Sequence, residues 1–373
     1  MMHLGIDIFK RPFSNTFIPY EMDVYKYLPN DFRKRDKEKD FQLDIIDISY
    51  FTARTLCSYH LTQRELYFDI IASLLSHLNF IDATKTNLLL SELRYKRLRD
   101  FSKSSRVGEM AQGINSYFVS KTLNFPYIID FDLAKEKTQA TLNIQTNGKS
   151  PDFVVLDLTM TEIGLFESKG NMNGNTTADL ISAMNQINDV HSPCFDYNIP
   201  VSTRFQDNND YSNKRLRKIR KSSVNYTLIK NVCKTPKETD LLRKLHYASW
   251  FYLVGDFKRV ESILNDGVVL PIQDENDPIY VLDIETDKNN PIYWVEQPIQ
   301  VSLFSKEYGT ALSLFITSRY FRRGQFKIGI YKKVIKSLIK TQDTNTIFQL
   351  PDGEINYLRK YPDGTLLYIR PIQ

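Results

Sequence analysis

The sequence predicts an α/β protein: a core in which strands lie between helices along the chain, preceded by a helical N-terminal region and followed by an α+β C-terminal region. Three observations carry this. A helical apolar stripe runs from Val107 to Phe118. Two short apolar runs, Asp152–Asp157 and Ile163–Ser168, read as adjacent strands. A further helical pattern over Ala178–Val190 is followed by the alternating segment Ile199–Phe205. The order is helix, strands, Asp strand, Glu-Lys strand, helix, strand.

The chain has 373 residues, room for two or three domains. Aromatic content of 13% argues against extensive disorder. No apolar run is long enough to cross a bilayer, and MMHLGIDIFKRPF has no signal-peptide core. A cytoplasmic protein without a membrane partner is expected. Cys57, Cys194 and Cys233 are few and widely spaced, which suits a reducing compartment. His3, His60, His77, His191 and His246 are scattered, so a histidine-built metal site is not expected. The net charge of +5 permits nucleic acid as a partner without requiring it.

Three regions are expected: a mostly helical one over 1–100, a core over 101–230 and an α+β one over 231–373. The early region holds Arg33–Asp40, a mixed charge run that reads as a solvated face, and Asp44–Phe51, a strand or a short helix. Leu66, Ile70, Leu74 and Leu78 recur at i+4, which predicts a helical hairpin or small bundle over about 60–105. Ser104-Ser105 offers an N-cap for a helix over Arg106–Leu123, which Pro126 ends. Tyr127–Phe131 and Thr141–Gln145 are strand candidates. Thr176 or Thr177 can cap the helix over Ala178–Val190, with Leu180, Ala183, Met184 and Ile187 as its buried stripe. Glu238–Asn265 reads as one or two helices, and the chain from Val268 onward as strands and turns, with turns at Pro351-Asp352-Gly353 and Pro362-Asp363-Gly364.

Chemistry concentrates in SPDFVVLDLTMTEIGLFESKG, Ser150–Gly170. If Leu156 pairs with Ile163 in a hairpin, Asp152 lies opposite Glu167 with Cβ atoms about 4.5–5.5 Å apart. Lys169, two residues on from Glu167, points to the same side. The carbonyl of Ser168 lies between them. Two close carboxylates repel, and a cation resolves the conflict. An all-oxygen ligand set favours Mg2+ or Mn2+. Such a cation beside an ammonium suits phosphodiester hydrolysis.

Pro151-Asp152 followed by Glu167-Ser168-Lys169 resembles the PD-(D/E)xK nuclease superfamily, which implies a restriction-endonuclease-like core, a mixed sheet flanked by helices in αβββαβ order. The resemblance covers about 100–130 residues, from the helix at Arg106 to the strand ending at Phe205. It implies Asp152 and Glu167 as catalytic metal ligands, with the Ser168 backbone carbonyl, and Lys169 as the catalytic amine. It also implies a helix carboxylate, for which Glu109 is the candidate and Glu92 an alternative. A helical wheel places Glu109 roughly 140° from the centre of the apolar stripe, so a solvated first-turn acid favoured by the helix dipole is an equal reading. Gln186 resembles a polar residue that some family branches place near the active site; a surface glutamine is the other reading.

The run Lys214, Arg215, Arg217, Lys218, Arg220 and Lys221 is either a phosphate-binding face or a solvated one. Arg97, Arg99, Lys103 and Arg106 could extend it. The expected activity is a Mg2+-dependent nuclease acting on DNA, an endonuclease of the bacterial restriction or phage-defence kind by family analogy, with RNA as the alternative substrate. A homodimer or a partner protein is compatible with this reading. The rival readings are a non-catalytic nucleic-acid-binding or scaffold protein of the same fold, and the nuclease subunit of a complex with a partner ATPase. The chain has no GxxxxGK[ST] phosphate loop, so any ATP-driven step falls to another protein.

Overall fold

A computed structural model describes residues 3–10, 19–20, 24–25, 36–37, 41–63, 80–81, 88–91, 100–172, 175–192, 194–206, 222–231, 239–275, 277–287, 289–295, 324–339 and 358–371. The chain divides into two compact units, Met1–His60 with Asp69–Leu242, and Leu61–Phe68 with Arg243–Gln373.

The first unit is built on one mixed sheet. Its longer strands are β1 (His3–Lys10), β2 (Phe41–Asp44), β3 (Tyr127–Asp130), β4 (Phe153–Leu156), β5 (Ile163–Met172), β6 (Tyr197–Phe205) and β7 (Ser223–Tyr226). The main order is β1-β7-β6-β5-β4-β3, with β2 paired to β1. β3, β4 and β5 are joined antiparallel, and β5 pairs with β6 in parallel. The flanking helices are α1 (Ile45–Tyr59), α2 (Asp100–Lys121), α3 (Phe131–Leu142) and α4 (Thr176–Asn188).

Local sequence explains most of these elements. β4 reads FVVL and is buried throughout, as β-branched and aromatic side chains between helix layers require. The α2 stripe buries Val107, Met110, Ala111, Ile114 and Phe118, each worth roughly 1–3 kcal/mol of transfer free energy. α4 buries Leu180, Ala183, Met184 and Ile187, the expected stripe, and Asn175 caps it by accepting from the Thr177 N–H. Pro200 sits in β6 between two pairings, Asn198 with Ile229 and Val201 with Tyr226. Its missing N–H falls at that break, and its carbonyl accepts from the Thr227 N–H at 3.1 Å.

Several expectations need correction. α2 begins at Asp100, so Ser104 and Ser105 lie inside it; the Ser105 hydroxyl donates to Glu109 instead of capping. Thr141 ends a helix, not a strand: Asp130 caps α3 by accepting from the Leu133 N–H, and only Gln145–Thr146 is extended. Within 1–100, α1 is the helical part among the described residues, while β1 and β2 belong to the central sheet. The helical hairpin expected over 60–105 falls largely outside the described residues, as do Glu92, Arg97, Arg99, the basic run Lys214–Lys221 and the turn at Pro351.

The second unit carries α5 (Thr239–Leu253), most of which falls in it, and α6 (Phe257–Asp266). A five-stranded antiparallel sheet follows: β8 (Tyr280–Asp283), β9 (Ile292–Val295), β10 (Gly324–Tyr331), β11 (Leu358–Lys360) and β12 (Thr365–Pro371), in the order β8-β9-β10-β12-β11. α7 (Lys332–Ile339) interrupts the expected run of strands. Its Val334, Ile335 and Leu338 are buried at helical spacing, a period too short-lived to stand out in the sequence. The turn at Pro362-Asp363-Gly364 joins β11 to β12 as expected, with Gly364 at φ 80°.

Candidate active site

The register expected for the central hairpin is the one observed: Leu156 faces Ile163 and Phe153 faces Phe166. One step further, the carboxylates of Asp152 and Glu167 each accept a backbone N–H from the opposite strand. The Asp152 N–H donates to Glu167 Oε2 at 2.7 Å, and the Ser168 N–H donates to Asp152 Oδ2 at 2.9 Å. β5 leaves the core at this point. Ile163–Glu167 are buried, and Ser168–Met172 are partly exposed. Glu167 retains 1% exposure.

Lys169 bridges the two sides of the site. Its Nζ donates to Glu167 Oε1 and to Gln186 Oε1 on α4. Gln186 Nε2 in turn donates to the Ser150 carbonyl at 3.1 Å, tying α4 to the loop that delivers Asp152. Gln186 is therefore part of the cluster and not a surface glutamine.

Burial pushes the Glu167 carboxyl up to about 8, with the charge of Asp152 adding to the rise and Lys169 opposing it. Burial also raises Asp152, against the pull of the Ser168 N–H, Lys169 and a side-chain hydrogen bond from Gln112. Both Glu167 oxygens are partnered, Oε2 by the Asp152 N–H and Oε1 by Lys169.

Glu109 stands apart. It accepts from the Ser105 hydroxyl at 2.9 Å and pairs with Arg106 at 3.3 Å. The α2 residue that reaches Asp152 is Gln112, one turn on. Arg106 is thus engaged within α2, and Lys103 lies two residues before Ser105 on the same helix.

Asp152 opens onto a cleft of about 570 Å³. Its walls include Tyr59 and His60 from the end of α1, Gln112, Asp130, Lys149 and Gln186. Asp130, at the β3–α3 junction, is 7% exposed. Burial pushes it up to about 6, opposed by the Leu133 N–H and helped by the charges of Asp132 and Asp152. Sequence reasoning missed Gln112 and Asp130. Asp130 had a readable signal, an acid ending an apolar strand and capping the next helix; Gln112 had none.

Behind the site, fully buried Asn115 donates to Ser168 Oγ at 2.8 Å and to the Lys169 carbonyl at 3.2 Å, and accepts from the Thr203 hydroxyl at 2.6 Å. That network pins α2 to β5 and β6. On the α4 side, Asp179 accepts from Asn171 and from the Ser202 hydroxyl, and burial raises its carboxyl.

Among the described residues, no group of three or more His, Cys, Asp or Glu is placed to hold a metal ion. The pair Asp152 and Glu167 suits a cation that takes one or two carboxylates and completes its shell with water and phosphate, as Mg2+ does. The donor set is oxygen. No helix among the described residues is long and apolar enough to cross a membrane. No family model, no curated protein and no solved structure matches this chain.

Proposed function

We propose that this chain is a Mg2+-dependent nuclease hydrolysing phosphodiester bonds in DNA, with the restriction-endonuclease-like core that its PD-(D/E)xK resemblance implies. The observation that carries the reading is the clasp of Asp152 and Glu167 across the hairpin end with Lys169 held on Glu167. The order α2, β3, β4, β5, α4, β6, with a parallel β5–β6 pair, supports the same core; α3 is an addition to it.

Asp152, Glu167 and the Ser168 carbonyl would hold Mg2+ or Mn2+. When bound, such a cation supplies Lewis-acid polarisation of the phosphodiester and a lower pKa for water. The chain's own groups do the rest. Lys169 Nζ, fixed between Glu167 and Gln186, is a point charge for the developing negative charge on phosphorus-bound oxygens. Gln186 sets the position of Lys169, and Gln112 that of the Asp152 carboxylate.

The test is cleavage of plasmid, linear duplex, single-stranded DNA and RNA with Mg2+, Mn2+ or EDTA. Cleavage is expected with either metal and not with EDTA. Asp152→Ala and Lys169→Ala are each expected to reduce the rate by about 100-fold or more. Cutting that survives both substitutions overturns the assignment.

A further inference from the structure

We propose that the cleft beside Asp152 is a subsite for one unpaired nucleobase, stacked on Tyr59, so that the preferred substrate is single-stranded or locally unstacked nucleic acid. This rests on the nuclease reading and deepens it. Tyr59 closes α1 and lines the cleft, yet is 67% exposed, the largest exposure among the large apolar side chains described. His60 meets the Tyr59 ring edge-on, centroids 4.9 Å apart at 84°, which restrains the ring's tilt. An exposed, oriented aromatic ring at the mouth of a polar cleft is what base stacking uses.

Size and charge point the same way. A cavity of about 570 Å³ falls within the range of small-molecule sites and takes a nucleotide, not a stacked duplex. Beyond Asp152, the proposed metal ligand, its walls hold two carboxylates, Asp130 and Asp132, and one cation, Lys149. Away from Asp152, such a wall disfavours dense phosphate and accepts the neutral face and N–H groups of a base. Leu56, Pro151 and Phe153 supply apolar surface beside those acceptors. Reaching the cleft from a duplex requires a base to leave its stack, which an unpaired strand does at least expense.

The α1–α2 contact holds this wall in place. A Cβ on Gly113 would lie 2.0 Å from Thr52 Oγ1 and 2.8 Å from the Thr52 backbone nitrogen, so the helices touch where glycine alone fits. Thr52 lies two turns before Tyr59.

The test uses the full chain carrying Lys169→Met, so that binding is read without cleavage, in Mg2+. The probes are a 2-aminopurine oligonucleotide as single-stranded DNA, as RNA of the same sequence and as duplex DNA. Single strands are expected to bind more tightly than duplex and to quench the probe. Tyr59→Ala and Tyr59→Leu should weaken single-strand binding by about 5- to 150-fold, and Tyr59→Trp should restore it. The DNA and RNA arms identify which strand the subsite serves. Unchanged affinity in Tyr59→Ala, or duplex binding as tight as single-strand binding, overturns the subsite. Tyr59-dependent quenching in a chain whose wild type cleaves nothing overturns the hydrolytic reading alone, and Tyr59-independent cleavage the subsite alone.

Discussion

Asp130 is where the chain's titration is most open to test. Its carboxyl is raised from 3.8 to about 6 by burial, so between those pH values the unfolded chain has lost a proton that the folded one keeps. The folded state is therefore favoured below pH 3.8, and this contribution fades as pH rises through about 6. Asp130→Asn keeps a cap for the Leu133 N–H and removes the titration. It is expected to flatten the loss of stability across that window, on the order of 2–3 kcal/mol, read from urea unfolding at pH 4 and pH 6.5. An unchanged slope would exclude Asp130 as its source. At this scale the sequence spoke unevenly. Asp152, Glu167 and Lys169 were legible because strand parity and register place them together. Gln112 was not, because which side of α2 meets a strand end depends on how closely the helix packs.

That packing is decided at the scale of elements. A Cβ on Gly170 would lie 2.4 Å from Ala111 Cβ and 2.9 Å from the Val107 carbonyl oxygen, so β5 lets α2 in at the residue after Lys169. Gly170→Val forces the helix outward and is expected to destabilise the fold by about 1–3 kcal/mol in urea unfolding. Asn115→Ala strips hydrogen bonds from Ser168 and Thr203 in the interior and should cost about 1–3 kcal/mol, whereas Asn115→Asp should lose more by burying a charge. If Asn115→Ala is neutral, the α2–β5 network is not what holds the helix. α3 and α7 were misread for related reasons. Each is a short segment of mixed polar and apolar residues whose helical or extended state depends on a cap or a neighbour, as Asp130 caps α3.

At the scale of the molecule, the first unit buries a cluster around α2, β5 and β6, and the second buries Trp250, Phe251, Tyr331 and Leu366. Differential scanning calorimetry is expected to resolve two transitions. His246 and Asp363 form a buried pair at 2.9 Å in the second unit, and the Tyr247 hydroxyl donates to the Asp363 carbonyl. His246→Ala should lower the second unit's transition by about 3 kcal/mol and leave the other in place, while Asn115→Ala should do the reverse. One transition moved by both substitutions would mean that the units unfold together.

By itself, the sequence determined the α/β class, the α2 and α4 stripes and the hairpin that joins Asp152 to Glu167, because side-chain periodicity and strand pairing are local. The tertiary structure alone decided that β1 joins the central sheet, that Gln186 completes the Lys169 cluster and that Glu109 does not. It also decided that α1, far away in sequence, walls the cleft with Tyr59. These are contacts between segments distant along the chain, and no periodicity within a single segment encodes them; close approach at Gly113 and Gly170 brings α1 and β5 against α2.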